Sequence, residues 1–200
     1  FMNVKVLTVS DGVVHGTRED RSGAALADRV AAEGWTLAGR AVCADGVDEV
    51  AEALRSLADG FHGLIVTTGG TGFGPRDLTP EGTRSVLDRE APGLAEAMRL
   101  VNPLGRLSRG VAGTLGTTLV LNTPGSSAGC VECLEAVVDV VPHAVRLLVD
   151  NADERHARRI ARAVGRGIPR HARPDHQHQV GLILQPRDVV ALMQRMVSGK

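Results

Sequence analysis

The 200-residue chain has no tyrosine, one tryptophan and three phenylalanines. Proteins that grip single-stranded nucleic acid by stacking its bases need aromatic platforms, so the scarcity speaks against that class. No apolar run approaches the roughly 18 residues that carry a helix across a bilayer, and no transmembrane segment is expected. Three cysteines cannot all pair with one another, which fits a reducing compartment better than a disulfide-stapled fold. The opening residues Phe1-Met2-Asn3-Val4-Lys5 lack the charged-then-apolar layout of a signal peptide. A cytoplasmic protein is expected.

Neither sign of charge prevails, with 23 basic and 23 acidic residues. The chain therefore has no overall field for nucleic acid or an anionic membrane, and neither is expected as a partner. What is present, 43% apolar and 23% charged residues, suffices for one full-sized core. The charge is unevenly spread, since residues 151–200 hold ten basic and four acidic residues. This divides the chain into a main domain, 1–150, and a basic tail, 151–200, to which no function is assigned. The arginine-rich stretch from Arg155 to Arg173 reads as a solvated helix and linker rather than an arm for a polyanion.

Val4, Val6, Leu7 and Val9 predict a strand ending in the loop Ser10-Asp11-Gly12. Leu26 and Val30 mark a first helix, Thr36 to Cys43 a second strand, and Val47 through Ala58 a second helix. Leu64-Ile65-Val66 is a short, wholly apolar third strand of the kind covered on both faces. This alternation is the signature of a doubly wound α/β sheet. Thr79-Pro80-Glu81 predicts a helix running to about Arg89, with Thr79 as its cap, and Leu94, Met98 and Val101 define another. Arg109 to Thr114 and Thr117 to Asn122 read as an antiparallel hairpin about Leu115-Gly116. Ser126 or Ser127 opens a long helix through Leu148, bent at Pro142. In the tail, a helix over Asp153 to Val164, a strand over Val180 to Leu184 and a helix over Arg187 to Val197 are expected.

The chemistry concentrates in Thr67-Thr68-Gly69-Gly70-Thr71-Gly72-Phe73-Gly74-Pro75-Arg76-Asp77-Leu78-Thr79-Pro80, which leaves the third strand for a helix. Open α/β sheets bind ligands at that edge. Four glycines within six residues let backbone amides approach phosphate oxygens, although no Gly-Lys-Ser/Thr follows to make a Walker loop. Asp77 is a cap, an arginine partner or a magnesium ligand on a nucleotide phosphate. Asp45, where the second strand meets its helix, is either an N-cap or a second carboxylate at the same edge. The loop from Ser10-Asp11 to Ser22-Gly23 and the segment Asn122-Thr123-Pro124-Gly125-Ser126-Ser127, feeding a helix N-terminus, reach that edge as well. Cys130 and Cys133 form a C-x-x-C inside a helix without a second pair, and His171, His176 and His178 read as part of a polar linker.

The segments TTGGTGFGPRDLTPE (67–81), DREAPGLAEAM (88–98), Leu107-Ser108-Arg109 and NTPGS (122–126) together resemble the molybdenum-cofactor family that includes bacterial molybdopterin adenylyltransferases and the gephyrin G domain. The resemblance covers roughly residues 3 to 149. It implies a three-layer α/β/α fold with a mostly parallel sheet, a homotrimer, Mg-ATP and molybdopterin as substrates, and adenylyl transfer to the terminal phosphate of molybdopterin. By motif, Asp45 and Asp77 match the family's functional carboxylates, catalytic and Mg2+-binding. Thr68, Gly69, Gly70, Thr71 and Gly72 match the phosphate loop, and Thr79 is expected among the substrate-binding residues. Ser10, Asp11, Ser22 and Gly23 match the first-strand loop, and Asn122, Pro124, Gly125 and Ser126 the pterin-side loop. A molybdenum-insertion protein is the implied partner. Ala44 stands where relatives often have proline, and the tail carries no family motif. The alternative is a non-catalytic molybdopterin-binding or scaffold protein of the same fold.

Overall fold

The computed structural model describes residues 2–150. Its strands are β1 (Asn3–Val9), β2 (Thr36–Cys43), β3 (Gly63–Thr68), β4 (Arg89–Glu90), β5 (Ala112–Leu115) and β6 (Thr118–Thr123). They form one sheet in the order β2-β1-β3-β6-β5-β4. The first four in that order run parallel, while β5 and β4 each run antiparallel to their neighbour. Every residue of β3 and β6 is buried. The pleat sends Leu64 and Val66 into one core and Ile65 into the other, and it divides Leu119 and Leu121 from Val120 in the same way. Two-sided burial is why these strands read as continuous apolar runs.

The helices are α1 (Asp11–Val14), α2 (Arg21–Ala32), α3 (Val47–Ala58), α4 (Thr79–Arg84), α5 (Pro92–Leu100) and α6 (Ser127–Glu135), with a 3-10 turn at Pro103–Leu107. Residues 141–150 are helical as well. Leu26 and Val30 of α2, Met98 of α5, and Cys130 and Leu134 of α6 pack on one sheet face. Val50 and Leu54 of α3 pack on the other, which completes the three layers. The parallel strands end flush, with Val9 level with Cys43, Thr8 with Thr68, and Thr68 with Thr123. The loops that follow β1, β2, β3 and β6 therefore leave the sheet along one edge.

Several elements differ from their sequence readings. Ser10 caps a short helix, α1, where a plain loop was expected. The helix at Thr79 stops at Arg84, because the amide of Asp88 donates to Thr114 O at 2.8 Å and draws the chain into the sheet as β4. The hairpin strands begin later than expected, and their turn centres on Gly116, whose φ of +60° suits glycine. Pro142 breaks the long helix instead of bending it. Having no amide proton, it leaves the chain to turn through tighter bonds from Val137 to Leu134 O and from Val140 to Val137 O before helical residues resume. Val141, Val145 and Leu148 are nonetheless buried.

The compact unit ends at Leu148. The expected tail elements, with His171, His176 and His178, lie outside the described residues. Among the described residues, no helix is long and apolar enough to cross a membrane.

Candidate functional site

Along the edge where the parallel strands end lies a cleft of about 1170 Å3, walled by the ends of β1, β3 and β6, by α5 and its 3-10 turn, and by the start of α6. Of the residues the sequence pointed to, Ser10, Ser22, Asp45, Asp77, Thr68 through Gly72, Asn122, Pro124, Gly125 and Ser126 all line it. Asp11, Gly23 and Thr79 do not. Their roles are internal. Gly23 opens α2, where its amide donates to Asp20 Oδ1 at 2.8 Å. Asp11 ties the loops after β1 and β2 together: its amide donates to Asp45 Oδ2 at 2.8 Å, and its Oδ1 accepts the Asp45 amide at 3.1 Å.

Thr79 does not cap α4, since Leu78 holds that position. It is fully buried and turns back onto the glycine loop, where its Oγ1 donates to Gly69 O at 2.9 Å and its amide to Gly70 O at 3.1 Å. The next two carbonyls are also taken, Thr71 O by the amide of Arg109 at 2.9 Å and Gly72 O by Arg109 Nε at 2.7 Å. In a trans peptide the carbonyl and the following N–H point in opposite directions. With four successive carbonyls turned onto Thr79 and Arg109, the amides of Gly70, Thr71, Gly72 and Phe73 turn away from them. None of the four has an acceptor among the described residues. A run of successive unpartnered amides is the kind of arrangement that can cradle an anion. Gly69 is required there, because its φ is +103° and a Cβ would lie 2.2 Å from Val9 O.

The two carboxylates flank this loop. Asp45 Oδ1 would lie 3.1 Å from a Cβ placed on Gly70, while Asp77 Oδ2 accepts the Gly74 amide at 2.7 Å. Asp45 is not the N-cap of α3, a position that falls to Gly46. Each acid keeps one oxygen without a partner among the described residues. Among those residues no three metal-ligating side chains gather. A pair of acids beside a loop of unpartnered amides is nevertheless a donor set of the kind Mg2+ takes, since that ion completes its shell from phosphate oxygens and water.

Asn122 lines the cleft, but its amide is engaged. Nδ2 donates to Thr67 and Thr83 Oγ1, each at 3.0 Å, and Oδ1 accepts the Val111 amide. It fixes the loop rather than offering a free donor. Ser126 caps α6, whose first turn faces the cleft. Burial pushes the Cys130 and Cys133 thiols up to about 11, which leaves both packed and protonated.

Sequence reasoning assigned the arginines no role of their own. Arg76 Nε donates to Asp11 Oδ2 at 3.0 Å, and this hydrogen bond is the main cause that holds the Asp11 carboxyl below its ordinary range. Arg109 reaches Gly72 O, Asp77 O and the Glu81 carboxylate. Arg18, Arg21 and Arg99 add positive charge to the cleft wall. The glycine-rich motif contained Arg76 and the Leu107-Ser108-Arg109 motif contained Arg109, but no sequence signal pointed to Arg18, Arg21 or Arg99.

Comparison with known proteins agrees with this geometry. Residues 5–166 match the family described as a probable molybdopterin binding domain. A molybdopterin adenylyltransferase of Helicobacter pylori J99 is 36% identical over 159 residues, covering 75% of this chain and 89% of its own length. The Drosophila melanogaster molybdenum cofactor synthesis protein cinnamon is 39% identical, but the match spans 73% of this chain and only 25% of that protein. Among solved structures, the molybdopterin biosynthesis enzyme MoaB of Thermus thermophilus superposes with a TM-score of 0.69 at 46% identity, covering 74% of this chain and 96% of that one. Fold, site and sequence likeness converge: the chain belongs to the molybdopterin-binding domain family of molybdenum cofactor biosynthesis.

Proposed function

We propose that this protein is a molybdopterin adenylyltransferase. A terminal phosphate oxygen of molybdopterin attacks the α-phosphorus of ATP, the bond from that phosphorus to the bridging oxygen breaks, and pyrophosphate leaves with the electron pair. The observation that carries this reading is the run of four unpartnered amides at Gly70–Phe73, set between two half-buried acids on one cleft. Amides so fixed can hold triphosphate oxygens with little reorganisation during reaction. Asp45 and Asp77 would hold Mg2+, which neutralises phosphate charge as pyrophosphate departs. Ser126 and the start of α6, with Pro124 and Gly125, line the same cleft and would receive the pterin. At about 1170 Å3 the cleft exceeds the roughly 300–1,000 Å3 of an ordinary small-ligand pocket, room enough for two substrates in contact. Catalysis then rests on positioning and charge neutralisation.

The assembly is a homotrimer. Leu100, Leu104 and Leu107 are 72%, 73% and 56% exposed, an apolar surface suited to covering by further copies of the chain. The product passes to a molybdenum-insertion protein. Three free thiols at Cys43, Cys130 and Cys133 accord with a reducing, cytoplasmic setting.

Pyrophosphate release from Mg-ATP and molybdopterin tests the reading. Asp77→Asn keeps an oxygen for the Gly74 amide but removes the charge, so turnover is expected to fall about 100-fold or more with an unchanged thermal midpoint. Saturable binding of both substrates without product by the wild type would overturn it in favour of a scaffold.

A further inference from the structure

We infer that Arg109 is a positioning residue for the triphosphate half of the site. It sets both the outward face of the glycine loop and the approach of Asp77, without itself being a ligand. The inference rests on the adenylyl-transfer reading, but its geometry stands apart from that reading. Arg109 lies in the stretch between the 3-10 turn and β5, far from the loop in sequence, and the nearby Val111 amide is held by Asn122 Oδ1 at 3.2 Å. From that fixed base it makes contacts on both sides of the loop. Its backbone amide and Nε take Thr71 O and Gly72 O, and Nη2 takes Asp77 O. Glu81, on the first turn of α4, accepts from Nη1 and holds the guanidinium in place.

The loop has little else to fix its middle. Thr79 secures Gly69 and Gly70, and Asp77 secures Gly74 through both its carboxylate and its amide, while the Gly72–Phe73 peptide between them has no partner besides Arg109 among the described residues and Phe73 is 71% exposed. Without Arg109 the Gly72–Phe73 peptide is free to rotate, and one rotation replaces an outward amide with an outward carbonyl, which repels phosphate. Lysine cannot substitute, because a single ammonium does not span two carbonyls and a carboxylate as the planar fork does.

Arg109→Ala and Arg109→Lys separate this role from general support. Each is expected to raise KM for Mg-ATP about tenfold or more while KM for molybdopterin stays within about twofold, the cost of a misplaced reacting group rather than of lost fold. Guanidinium chloride at non-denaturing concentration should partly restore Arg109→Ala and do nothing for Arg109→Lys. A parallel rise in both KM values, or no rise, overturns the inference. Should Arg109→Ala fail to fold, Arg109→Lys carries the test. Backbone amide resonances of Gly70 to Phe73 in the nucleotide-free protein give a readout that needs no turnover. If they are identical in wild type and Arg109→Lys, the inference falls whatever the protein catalyses. If they differ while the wild type releases no pyrophosphate, Arg109 keeps its role and adenylyl transfer falls instead.

Discussion

Glu81 touches no reacting atom in the proposed transfer, yet the pH range over which the site holds its shape depends on it. Partial burial alone would push its carboxyl up, but the Arg109 hydrogen bond, a backbone hydrogen bond and the nearby arginine charges outweigh that and hold it below its ordinary 4.5. A carboxylate lowered on folding stabilises the native state above its unfolded value, and that contribution is lost as pH falls through the folded one. Glu81→Gln removes this contribution. Urea midpoints measured from pH 7 downward should show the variant less stable near neutrality, with the gap to wild type narrowing below about pH 4.5. A gap constant with pH would mean that Glu81 is not paired as a carboxylate. At this scale Asp77 and the glycines were legible because they sit in one continuous segment. Arg109 was not, because its partners lie 28 to 38 residues away and only the fold brings them together. Asp45 was half legible. Its place after β2 fitted a cap or a site acid, and the structure removes the cap, since Gly46 takes that position while Asp45 exchanges amide hydrogen bonds with Asp11.

At the scale of elements, what could be read was whatever local pattern decides. β2 was expected over Thr36 to Cys43 and runs over those residues. β4 was not foreseen, because two residues carry no periodicity and the strand exists only through pairing with β5. The helix at Thr79 was drawn too long for the same reason, since the hydrogen bond that ends it comes from across the sheet. This short helix still positions the site, as it carries Thr79 against the loop and packs on α3 through Gly82. A Cβ at Gly82 would lie 2.7 Å from Val47 O and 2.8 Å from Val50 Cβ, so one backbone must move. Gly82→Ala is expected to cost about 1–3 kcal/mol in urea unfolding, as overpacking does. It should also weaken Mg-ATP binding by shifting Thr79 off the loop. Greater stability in the variant, the usual result of replacing a helical glycine by alanine, would show that α4 and α3 are not in close contact.

For the whole molecule, the sheet order decides which distant segments share an edge, and an apolar surface left outside the core lies beside that edge. Leu104 and Leu107 are exposed and also wall the cleft, so the proposed trimer and the proposed substrate site would draw on the same residues. A carboxylate placed there would have to be desolvated without a partner when copies of the chain meet, a penalty large enough to abolish association. Leu104→Asp is therefore expected to shift the mass measured by light scattering from three chains toward one. Because the residue is exposed within one chain, thermal stability of the separated subunit should change little. Catalysis separates the two roles of the wall. If the trimer completes the cleft, turnover per chain in Leu104→Asp should rise with protein concentration as subunits reassociate, whereas a cleft complete in one chain would give a concentration-independent rate. A wild-type protein that runs as a single chain at every concentration would rule out the trimer, and Leu104 would then be read solely as a wall of the substrate cleft.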